Sequence, residues 1–202
     1  LVSPDFSLNL LDKLIILMQL HSVRPVICIT KRDLLTDEEF LVFEPILDYY
    51  KKLGYSVIFN TELDKIKELL KDKTSVFTGQ TGAGKSTLLN KLKPDWNLET
   101  GEVSTALGRG RHTTRVVTLY ELFGGKVMDT PGFSALDFHT YSKEQIRDAF
   151  IEFSKYPCPF KDCLHTKEEE CEVKKAVISN NIMKSRYLNY LSFIQEGDYY
   201  ED

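Results

Sequence analysis

An α/β fold with a mostly parallel, doubly wound sheet is what this sequence predicts, and three observations carry it. Short runs at Pro25–Thr30, Tyr55–Phe59 and Thr74–Thr78 alternate with segments of helical spacing, the pattern of strand–helix–strand units. The first run is continuously apolar, as strands covered on both faces are. A glycine-rich stretch, Gly79-Gln80-Thr81-Gly82-Ala83-Gly84-Lys85-Ser86, stands between the third run and a helix, and ligands sit at the C-terminal ends of strands in such sheets. Residues 1–152 are expected to form this domain, with a second, small helical domain over 153–202.

The elements follow in order. Leu8, Leu10, Leu11, Leu14, Ile15 and Met18 recur at helical spacing, with Asp12 and Lys13 on another face, and predict a helix packed on the sheet. The strand over Pro25–Thr30 holds Cys28, expected to act as a small buried apolar side chain. It runs into Thr30-Lys31-Arg32-Asp33, which resembles N-K-x-D, the guanine-recognition motif of GTPases, with Thr in place of Asn. A carboxylate such as that of Asp33 can accept from both the ring N–H and the exocyclic amine of guanine. The wrong base would leave it buried and unpaired, so the pairing discriminates. The stem of Lys31 can lie along the base.

Thr36-Asp37-Glu38-Glu39 is a capping box, and predicts a helix to about Leu53 that Gly54 ends. A strand at Tyr55–Phe59 and a short helix from Glu62 to Leu70 lead to the third strand. The loop that follows fits G-x-x-x-x-G-K-[ST], in which glycines let backbone N–H groups point at phosphates. Lys85 can reach the β- and γ-phosphates, Ser86 can ligate Mg²⁺, and the helix from Thr87 adds its N-terminal dipole.

Residues 93–114 have little periodicity and end in Arg111-His112-Thr113-Thr114. A long irregular segment here has the position of a switch loop, and Thr113 or Thr114 is expected to complete the Mg²⁺ shell. Arg115–Leu122 alternates as a half-buried strand, Gly124-Gly125 signals a hairpin turn, and Lys126–Met128 leads into Asp129-Thr130-Pro131-Gly132. This resembles D-x-x-G, where Asp129 would hold Mg²⁺ through water and the Gly132 N–H would meet the γ-phosphate.

Ser142 opens another capped helix, closed by Gln145. Then comes Cys158-x4-Cys163-x-His165-x5-Cys171. Three thiolates and an imidazole suit a closed, structural tetrahedral Zn²⁺ site, here holding together a segment too short for a core of its own. Two helices are expected beyond it. Lys174, Lys175, Lys184 and Arg186 read as a solvated basic face, and residues 196–202 are acidic.

Composition bounds the partners. Lys+Arg 26 against Asp+Glu 30 gives a net charge of −4, so no overall field draws the chain to nucleic acid, and such contact requires a local patch. The apolar run Leu14–Met18 is too short to span a bilayer. Cysteines crowded beside a histidine point to metal binding in a reducing compartment, hence the cytoplasm, more than to disulfides.

The motif order is unusual: base recognition (Thr30–Asp33), then the phosphate loop (Gly79–Ser86), the switch threonines, and Asp129–Gly132. That is a circularly permuted GTPase followed by a zinc-type cluster. The combination resembles the RsgA/YjeQ family of GTPases that act on the small ribosomal subunit. Gly79–Ser86, Arg111–Thr114, Asp129–Phe133 and the Cys/His spacing all match, and the likeness covers nearly the whole chain. The resemblance implies GTP and GDP as ligands, Mg²⁺ with GTP, structural Zn²⁺, a partner in the small subunit and its rRNA, and action late in subunit maturation. A monomer that does not enter membranes is expected. The family begins with an OB-fold barrel that contacts rRNA, and no such barrel precedes Leu8 in these 202 residues. The resemblance therefore carries nucleotide binding further than RNA binding.

Many GTPases place a water-orienting Gln just after D-x-x-G, where this chain has Phe133. His112, beside the switch threonines, is the candidate for that role, and the family resemblance supports it. With Lys85 it makes up the catalytic pair. Asp129–Gly132 precedes the zinc segment in the chain, so loss of the γ-phosphate is expected to be relayed to that segment. The competing class is a zinc-stabilised nucleotide-binding interaction module with little turnover. Thr30–Asp33 disfavours an ATPase or kinase.

Overall fold

The computed structural model describes residues 6–80, 82–98, 118–129 and 137–196, with Thr118 and Asp129 described by their backbone. It divides into two units. One takes Leu1–Phe6, Val26–Pro45 and Val57–Ser134; the other takes Ser7–Pro25, Ile46–Ser56 and Ala135–Asp202. The units interleave along the chain, so segments on both sides of residue 152 build the second.

The first unit holds β1 (Val26–Ile29) and β2 (Ser56–Phe59), which pair with each other, and a three-stranded sheet. In that sheet β5 (Gly125–Asp129) lies between β3 (Thr74–Phe77) and β4 (Thr118–Leu122). β3 and β5 run parallel, from Thr74↔Lys126 to Phe77↔Asp129, while β4 and β5 are antiparallel. The fold is thus α/β with parallel strands, and its described strands form two sheets. Helix α4 (Leu63–Leu70) and the phosphate-loop helix α5 (Lys85–Leu92) pack on the larger sheet. Ile66, Leu70, Leu88, Leu89, Leu122 and Val127 are the buried centre of that core.

Two local expectations change. The helix expected from Thr36 to Leu53 is two helices, α2 (Asp37–Leu41) and α3 (Glu44–Lys52). Pro45 is the reason: it has no N–H to give the Leu41 carbonyl, so the ladder cannot continue across it. The Thr36–Glu39 capping box is present as expected. The β4–β5 hairpin turns at Phe123 (φ 51) and Gly124 (φ 75), not at Gly124-Gly125. Positive φ at both central residues makes a type I′ turn, whose twist matches the strands. Gly125 belongs to β5 instead, where a Cβ would lie 2.2 Å from the Lys73 carbonyl oxygen.

The second unit is helical around an apolar centre. Helix α1 (Leu8–Leu20) packs against α6 (Lys143–Ala149) and α8 (Lys184–Glu196), so it lies on helices where the sequence predicts a sheet. Ile16, Ile146, Phe150, Phe153, Tyr190 and Phe193 fill the core, joined by Val173 and Ala176 of α7 (Glu172–Ile178). Within it, Arg186 is 0% exposed and is no part of a solvated basic face. Its guanidinium donates to Asp12 at 2.5 Å and to Glu152 at 2.6 Å. Tyr50 of α3 donates to the same Asp12 at 2.6 Å.

Candidate functional site

Strand β3 delivers the chain to the phosphate loop. Gly79 (φ 146), Gly82 (φ 78) and Gly84 (φ 92) adopt conformations that side chains with a Cβ rarely take, which is why the motif spends glycine there. Lys85 opens α5, and its Nζ donates back to the carbonyls of Gly79 (2.7 Å) and Gln80 (2.9 Å). Ser86 and Thr87 follow in the first turn. Leu88, Leu89 and Leu92 anchor the helix below, so its N-terminus is held by core packing.

The turn that carries the N-K-x-D-like motif meets this loop. The Thr30 hydroxyl donates to the Ala83 carbonyl at 2.7 Å, and a Cβ on Gly84 would sit 3.7 Å from the Thr30 Cβ. Lys31 adopts a left-handed conformation (φ 57), and Asp33 is exposed on the 3-10 turn Arg32–Leu34. Arg32 does the holding in that turn. Its guanidinium lies 4.3 Å from the centre of the Phe40 ring, donates to the Leu35 carbonyl and pairs with Asp37. The β3–β5 register sets the Asp129 backbone opposite Phe77, two residues before the loop.

Asn90 is a residue the motifs do not name. Its side-chain amide donates to the Leu98 carbonyl and accepts from the Leu98 N–H, both at 2.8 Å, fastening the outgoing chain to the phosphate-loop helix. Trp96 packs against Tyr120 with ring centres 4.9 Å apart. Only the sequence separation of eight hints at the Asn90 clamp. Thr81, His112, Thr113, Thr114 and Gly132 lie outside the described residues, as does the side chain of Asp129.

In the second unit Cys158, Cys163, His165 and Cys171 come together, with one ligand atom from each within 4.8 Å of all the others. Their geometry can be tested against zinc. Tetrahedral Zn–S and Zn–N bonds require S···S of about 3.8 Å and S···N of about 3.6 Å. Cys158 and Cys171 Sγ are 3.8 Å apart, and His165 Nδ1 lies 3.5, 3.3 and 3.3 Å from the sulfurs of Cys158, Cys163 and Cys171. The donor set and the spacing fit the ion. Burial pushes the Cys163 thiol up to about 12 and raises that of Cys171. At Cys158 burial is outweighed by the N–H groups of Val173 and Glu172, which hold its thiol below the usual range. Burial, helped by the charge of Arg147, lowers the pKa of His165 and keeps its imidazole neutral, the form that ligates. A divalent cation would offset the buried negative charge of the thiolates.

The sequence model of the RsgA GTPase family matches residues 1–139. A small ribosomal subunit biogenesis GTPase RsgA of Streptococcus mutans serotype c is 48% identical over 195 residues, spanning 96% of this chain and 66% of that protein. The RsgA of Streptococcus pneumoniae serotype 4 is also 48% identical, over 96% of this chain and 65% of its own length. The chain thus spans just under two thirds of the curated relatives it matches. Among solved structures, YloQ, described as a circularly permuted GTPase, superposes with a TM-score of 0.78 at 36% identity, covering 97% of this chain and 64% of YloQ. YjeQ from Thermotoga maritima gives a TM-score of 0.81 at 32% identity, covering 97% of this chain and 68% of its own. Among the described residues no helix is long and apolar enough to cross a membrane.

Proposed function

The chain belongs to the RsgA GTPase family, and from that membership we propose that it binds GTP, hydrolyses it to GDP and phosphate, and uses the two states to engage and leave the small ribosomal subunit during its maturation. The observation that carries the reading is the 2.7 Å bond from Thr30 to Ala83. It ties the N-K-x-D-like turn to the glycine-rich loop 53 residues away, which supports reading the two as one nucleotide site.

In this reading the backbone of Gly79–Ser86 cradles the phosphates and Lys85 supplies a point charge to them. Asp33 reads the guanine edge and Lys31 covers the base. Ser86, one of Thr113 and Thr114, and Asp129 through water would hold Mg²⁺, which neutralises charge on the phosphates. His112 orients the attacking water, since Phe133 cannot, and the partner brings it into position. Cys158, Cys163, His165 and Cys171 hold Zn²⁺ as a structural ion. The relatives' names support the small-subunit partnership, and a ligand set that needs reduced thiols supports cytoplasmic action.

Multiple-turnover hydrolysis with and without purified small ribosomal subunits tests the proposal, with ATP as control. GTP turnover raised by subunits, with ATP left at background, is expected. Equal use of ATP and GTP would overturn it.

A further inference from the structure

The four candidate metal ligands do not hold themselves in place. His165, the central one, sits at φ 58, a left-handed conformation that a side chain with a Cβ adopts only when its surroundings impose it. The backbone on both sides of it is bonded to side chains. Glu168 accepts from the Leu164 N–H at 2.9 Å with one carboxylate oxygen and from the Thr166 N–H at 2.7 Å with the other. From α8, Tyr187 donates to the His165 carbonyl at 2.7 Å, and Tyr190 donates to that of Leu164.

We propose that Glu168 is a positioning residue for the metal, whose carboxylate bridges the amides flanking His165 and so presents Nδ1 to the three sulfurs before the ion arrives. This rests on reading Cys158, Cys163, His165 and Cys171 as metal ligands. The geometry singles out Glu168 within its own run. It is half-buried over the loop, while Glu169 and Glu170 beside it are exposed. Two acceptor oxygens on one planar group are what two N–H groups in this arrangement require, and a glutamine would set an N–H against one of them. Groups that orient metal ligands typically change metal affinity by about 10–100-fold when removed.

The test uses the full chain stripped of metal and titrated with Co²⁺, whose ligand-field and thiolate charge-transfer bands report tetrahedral Cys₃His binding independently of nucleotide turnover. A competing chelator supplies the affinity. Glu168→Ala is expected to keep the tetrahedral spectrum but to weaken Co²⁺ binding by about 10–100-fold. Glu168→Gln should fall close to it, and Glu169→Ala should match the unchanged protein. Tyr187→Phe, which deletes one hydroxyl and no packing volume, should release the ion several-fold faster. Wild-type Co²⁺ affinity in Glu168→Ala, or in Glu168→Gln where the alanine variant misfolds, would overturn the positioning role alone. Failure of the unchanged protein to give a tetrahedral Co²⁺ spectrum would overturn the metal reading and this inference together.

Discussion

The hydroxyl of Thr30 donates to the carbonyl of Ala83 across 2.7 Å, and so the turn that would read the base is tied to the loop that would hold the phosphates. The sequence places Thr30 in the guanine motif, and in the structure its hydroxyl bonds the backbone of the glycine-rich loop. The side chain at this motif position therefore sets where the two halves of the site stand relative to each other.

Thr30→Val keeps the shape and removes the donor. It leaves the Ala83 carbonyl unpaired in a half-buried setting, a loss of roughly 1–2 kcal/mol. GTP and GDP affinity should both fall by about 5–30-fold in a titration with a fluorescent guanine nucleotide. Thr30→Ser should recover most of the loss. Unchanged affinity in Thr30→Val would show that the bond does not support the site.

Arg186→Met replaces a guanidinium by an apolar chain of similar length and strands two carboxylates in the core. Asp12 is 0% exposed and Glu152 2%. Breaking a buried pair from one side costs about 3–5 kcal/mol, which urea denaturation would measure. Restoring neutrality with Asp12→Asn and Glu152→Gln in the same chain should regain part of it. A loss under about 1 kcal/mol, the range of exposed ion pairs, would contradict the burial of this network.

Metal removal should loosen the second unit without unfolding it. The sequence suggests a segment with no core of its own, whereas the ligands adjoin Phe153, Val173, Ala176 and Tyr190, packed with Ile16 of α1. Losing a cross-link across a loop of this size costs about 3 kcal/mol, or about 6–12 °C in Tm for a chain of this length. Circular dichroism after chelation should keep the helical signal while amide exchange rises across residues 158–171. Cooperative loss of α6, α7 and α8 would instead mean that the ion, and not the apolar core, holds the unit together.

Much of the site was legible because its signals are local. The glycines of the phosphate loop, the capping boxes at Thr36–Glu39 and Ser142–Gln145, and the Cys/His spacing each act within a few residues, and the structure carries all of them. The break at Pro45 was also written locally, but the apolar periodicity across it reads as one helix. The hairpin misplacement has the same scale. Gly124-Gly125 looks like the turn, yet the Lys73 backbone crowds Gly125, and the turn takes Phe123 into positive φ.

Asp12 and Arg186 mark the other limit. They are 174 residues apart, and each stands in a helix whose neighbouring pattern sends charges toward water. The sequence by itself determined most of the elements, the glycine-rich loop, the motif order and the Cys/His cluster, because glycine conformation, capping and residue spacing depend on near neighbours. Only the tertiary structure decided that α1 packs with the C-terminal helices, that Thr30 serves Ala83, and that Glu168 braces His165. Those depend on which surfaces are buried against each other, and a charge buried by distant packing must take as partner whatever group the fold brings within hydrogen-bond reach.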